Sequence, residues 1–74
     1  MNPSQLIALL NALHFGDLDS ITRKLKQAEA ACRELGNDEI VERIVLAREA
    51  IAAADAKSFR KHTEAAVSKL GHLR

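Results

Sequence analysis

At 74 residues the chain lies near the lower limit for unaided folding, and a single domain is expected. Eleven Lys and Arg against 10 Asp and Glu leave a net charge of +1, without the strong basic excess of a dedicated nucleic-acid binder. One cysteine, Cys32, excludes an internal disulfide framework, and two Phe with no Trp or Tyr exclude a core enlarged by aromatics.

Helix-forming residues dominate, so the elements are read from capping signals and apolar period. Asn2 followed by Pro3 starts a helix well, with a capping side chain and a proline at the first helical position. The first helix is expected over 3–14, with Leu6, Leu9, Leu10 and Leu13 on one stripe, His14 beside its last carbonyls and Gly16 as the stop. The second is expected over 17–35, capped by Asp17 and ended by Gly36. Its seam is Leu18, Ile21, Leu25, Ala28, Cys32 and Leu35.

Asn37 or Asp38 caps a third helix over 38–54, whose stripe is Ile40, Ile44, Ala47, Ile51 and Ala54. Val41, Val45 and Leu46 widen its apolar surface, so contact with more than one neighbour is expected. No glycine or proline marks a break near Asp55, and one long helix over 38–70 is the alternative. The phase decides for a break: Phe59, Ala66, Val67, Leu70 and Leu73 sit one residue out of step with the third helix's stripe. One residue is about 100° around a helix axis. A turn at 54–56 with Asp55 as cap and a fourth helix over 56–70 explain the slip. Leu25, Cys32, Ile44, Ile51 and Leu70 are expected in the core.

A faint repeat at an offset of 38 supports two hairpins: Asp17 aligns with Asp55, Ser20 with Ser58, Ile21 with Phe59, Ala28 with Ala66 and Cys32 with Leu70. The small-residue turn before an aspartate looks like that of tetratricopeptide-type hairpins. The ~34-residue period and the Trp, Gly and Tyr positions of that family are missing, so membership is not assigned. The expected fold is an all-α, antiparallel four-helix bundle built from two helical hairpins.

No catalytic constellation, phosphate loop or metal-ligand spacing is present in the sequence, and no cofactor is expected. His14, His62 and His72 are scattered, and Cys32 reads as a buried apolar residue. The acidic pairs Asp17/Asp19 and Glu39/Glu42 favour the positive ends of helices, while Glu29–Arg33 and Glu39–Arg43 have four-residue ion-pair spacing. The opening stretch shows no basic leader or cleavage site, and the apolar runs LIALL and AIAAA fall far short of the ~20 residues of a membrane span. A cytoplasmic location is therefore expected.

Two surfaces stand out. Val41, Val45 and Leu46 form a candidate partner interface, covered by a second subunit of a homodimer or by another protein. Arg23, Lys24 and Lys26 of the second helix and Lys57, Arg60 and Lys61 of the fourth form a candidate anion site. In an up-down bundle those two helices run parallel, so the clusters are expected to meet at one end. The leading functional expectation is a non-enzymatic, self-associating interaction module. The alternative is a small DNA- or anion-binding regulator.

Overall fold

The computed structural model describes residues 2–14 and 17–73; the expected stop at Gly16 and the side chain of His14 lie outside that description. Four helices follow in order: α1 (Pro3–Asn11), extended by a 3-10 turn over Ala12–His14, then α2 (Leu18–Leu35), α3 (Asp38–Ala52) and α4 (Ala56–Leu73). The bundle measures 30 × 19 × 17 Å, its long axis set by the two 18-residue helices.

Each helix start is capped by a residue the sequence nominates, and of the two candidates for α3 the cap is Asn37. Asn2 accepts from the Gln5 N–H at 2.8 Å while the Gln5 side chain accepts from the Asn2 N–H at 2.9 Å, a reciprocal capping box. Asp17 caps Ser20 (2.8 Å), Asn37 caps Ile40 (3.2 Å) and Asp55 caps Ser58 (3.1 Å).

The ends of α2 and α3 share one design. At the first, Gly36 is left-handed (φ 74), its N–H donates to Arg33 O at 3.0 Å, and the Asn37 N–H donates to Cys32 O at 3.4 Å. At the second, Ala54 is left-handed (φ 59), its N–H donates to Ile51 O at 3.1 Å, and the Asp55 N–H donates to Ala50 O at 2.8 Å. Both are Schellman endings, and in both the next residue also caps the following helix. Two tight αα-hairpin turns result.

α1 packs against α2 and α4, and α3 packs against the same two, so α1 faces α3 and α2 faces α4 across the diagonals. The core runs down the axis. It takes Leu6, Leu10 and Leu13 from the first segment, and Leu25, Ala28, Ala31 and Cys32 from α2. α3 adds Ile40, Ile44, Ala47 and Ala50, and α4 adds Phe59, Ala66 and Leu70. The repeat is visible here: Leu25, Ala28 and Cys32 occupy the places in α2 that Thr63, Ala66 and Leu70 occupy in α4.

The differences from expectation fall at the ends of the stripes. Ile51 is only half-buried and Ala54 is exposed, and α3 stops at Ala52. Leu18, Leu35 and Leu73, expected on apolar stripes, are 56%, 40% and 48% exposed. All of them lie in or just beyond the first or last turn of a helix, where no neighbour extends over them. α4 runs on through Gly71 to Leu73, and a glycine in a last turn weakens a helix by only about 1 kcal/mol.

Candidate interaction surfaces

Val41, Val45 and Leu46 do not make one patch. Val41 is half-buried against the core, and Val45 and Leu46 are half-buried on different flanks of α3. At about 100° per residue, the exposed Glu42 and Glu49 fall between Val45 and Leu46. The flank carrying Val41 turns toward α2, since Arg48 beside it reaches Glu29 (Nη1–Oε1 3.2 Å). The flank carrying Leu46 turns toward α4, where Leu46, Glu39, Glu42, Arg43 and Lys69 line a shallow groove of ≈ 240 Å³. Of the three, Val41 packs against the core, and Leu46 lines the groove beside α4. The three residues expected to form a partner interface are thus spread over two flanks of α3, each half-buried.

The polar contacts tie α3 to both sides. Glu29 binds Arg33 through Oε2 at 3.0 Å, the expected in-helix pair, and its fully enclosed Oε1 meets Arg48 by charge attraction without hydrogen-bond alignment. Glu39 makes its close ion pair with Lys69 on α4, 2.8 Å away, and the Arg43 charge acts on it more weakly. That hydrogen bond and the Lys69 charge hold the Glu39 carboxyl below its ordinary range. Arg43 donates instead to His62 Nδ1 at 3.2 Å. Asp55 is likewise held low, by the hydrogen bonds from Ser58. Burial pushes the Cys32 thiol up, so it stays protonated and apolar in the core.

The basic residues divide into two separate sets. Arg23 and Lys26 are exposed, while Lys24 is half-buried, its Nζ donating to Ala12 O at 3.5 Å. Lys57, Arg60 and Lys61 are exposed on α4 and, with Ala56 and Glu64, line an open depression of ≈ 360 Å³. Residues of α4 alone form that depression. α2 and α4 are diagonal and make no helix–helix contact, and Lys24 is turned to the carboxyl end of the first segment.

Sequence reasoning missed Thr63, 6% exposed, whose hydroxyl donates to Phe59 O at 2.8 Å. Its place is legible from the α4 stripe, four residues after Phe59 and three before Ala66, and from the repeat, which aligns it with Leu25. A further groove of ≈ 210 Å³ between α1 and α4 is lined by Leu10, Asn11, Val67 and Ser68 among others. Among the described residues no group of three or more His, Cys, Asp or Glu could hold a metal ion, and no helix is long and apolar enough to cross a membrane. No protein-family model matches the chain, and neither a curated protein nor a solved structure shows significant similarity to it.

Proposed function

We propose that the chain is a non-enzymatic helical module that assembles with further copies of itself. One observation carries the reading: among the described residues, five of the fourteen buried apolar side chains are alanine, while Leu18, Leu35 and Leu73 stand half in solvent. Full burial of a leucine contributes about 1.5–3 kcal/mol and an alanine much less, so the apolar surface that would strengthen the fold most lies outside it. Leu35 and Leu73 close α2 and α4 at the same end of the bundle, where another copy can cover both. Sedimentation velocity from low micromolar to millimolar concentration tests this. The sedimenting mass should rise toward twice 8.1 kDa, and a species that stays at 8.1 kDa throughout overturns the reading.

The α4 depression supports a second reading, weak binding of a polyanion by Lys57, Arg60 and Lys61. Retention on immobilised heparin at low salt, lost as salt rises, is its test; passage in the void volume at low salt removes it.

A further inference from the structure

The turn between α3 and α4 is tight, yet its sequence favours a helix running straight through it. Residues 50–57 read AIAAADAK, with alanine, the best helix former, at five of eight positions. Ala54 nevertheless adopts φ 59, the one non-glycine residue with positive φ among those described, and its Cβ makes that conformation strained. The α2–α3 turn has the same hydrogen-bond design but places Gly36 at the left-handed position, where no such strain arises. Of two equivalent turns, one is relaxed and one is loaded.

The loaded turn is held closed by the Asp55 N–H on Ala50 O (2.8 Å), the Ala54 N–H on Ile51 O (3.1 Å) and the Asp55 carboxylate on the Ser58 N–H (3.1 Å). In a continuous helix these backbone donors find partners four residues back, and the strain at Ala54 disappears. The apolar stripe of α4 is out of phase with that of α3, so a straight helix cannot present both to one core. The released α4, with Phe59, Ala66 and Leu70 uncovered, then needs another cradle of the same shape. A second copy of this chain supplies it: the surface of α1 and α3 that receives α4, the Glu39–Lys69 pair and the Arg43–His62 contact all re-form between chains. Only the hinge changes.

We propose that Ala54 is an exchange hinge, and that the chain dimerises by trading α4 between two copies whose α3 and α4 have fused into single long helices. This rests on the self-association reading for the existence of a dimer alone: the hinge lies at the end of the bundle opposite Leu35 and Leu73, whose exposure the exchange leaves unchanged. Short strained hinges are where such exchange is favoured.

The test uses the full chain. Isotope-labelled and unlabelled chains are unfolded together, refolded at high concentration and treated with a carbodiimide, which joins a carboxylate to a touching ammonium. The dimer fraction should yield a Glu39–Lys69 amide linking one labelled and one unlabelled chain. Ala54→Gly relaxes the closed turn and weakens the straight helix in both copies, so the dimer dissociation constant should rise about tenfold or more. Asp55→Ala removes the cap of the closed form and should lower it. A dimer whose Glu39–Lys69 amide stays within one chain, and whose dissociation constant Ala54→Gly leaves unchanged, overturns the exchange while self-association stands. A chain that is monomeric at every concentration removes both.

Discussion

Individual side chains show how far a helical period can be read. Ile44 and Ile51 lie on one stripe of α3 and look equivalent in the sequence, yet Ile44 is 1% exposed and Ile51 is half-buried. Ile44→Ala should cost about 2–4 kcal/mol, because it empties a site enclosed on every side. Ile51→Ala should cost clearly less, since solvent already reaches that side chain. Denaturant unfolding of both variants decides this, and equal losses would contradict the assigned burial. Ala54 supplies the opposite sign. At a concentration where the chain is monomeric, Ala54→Gly should stabilise it by about 1 kcal/mol, the cost of a left-handed L-residue, and raise the melting temperature by about 4–8 °C. A lower melting temperature would show that the turn favours alanine for a reason outside the backbone. Periodicity names the stripe, but it carries no information about where a neighbouring helix stops.

Among the elements, the helix starts were the most legible part of the fold, because an Asn or Asp cap is a local chemical signal. Asn2, Asp17 and Asp55 act as read, and Asn37 takes the place left open between it and Asp38. The break after α3 was harder, since alanine fills the position where glycine fills its twin. It was found through the one-residue slip of the apolar pattern, a consequence of packing rather than of turn chemistry. The two turns also differ in what acid does to them. Asp55 and Glu39 are held below their ordinary values of 3.8 and 4.5 in the folded chain, so the unfolded chain binds protons more readily there. Their contribution is complete above those ordinary values and is lost as pH falls through the lowered ones. Asp55→Asn keeps a capping oxygen and loses the titration. Its melting temperature at pH 7 should therefore stay close to that of the parent, and its decline between about pH 4 and pH 2 should be shallower. Thermal melts across that range provide the check, and two parallel acid limbs would show that Asp55 contributes nothing to acid sensitivity.

For the whole molecule, the bundle's cyclic packing governs which surfaces can act together. Parallel helices bring the N-termini of α2 and α4, and with them the two basic clusters, to one end of the bundle. The ring order of the helices sets α2 and α4 on a diagonal with the core between them. Spacing along a sequence fixes which face a residue occupies, and only the arrangement of all four helices fixes who its neighbour is. Any polyanion that binds should accordingly meet one cluster. The open depression selects Lys57, Arg60 and Lys61, while Lys24 is already turned to Ala12 O. Three cations can displace at most three counterions, so the logarithm of affinity should fall against the logarithm of salt with a slope no steeper than about −3. Lys57→Glu with Lys61→Glu should abolish retention on heparin, and Arg23→Glu with Lys26→Glu should leave it nearly intact. Both pairs should melt close to the parent, because exposed charges contribute little to folding. If the two double variants lose retention equally, the polyanion spans both clusters and the separation imposed by the diagonal is not the one that governs binding.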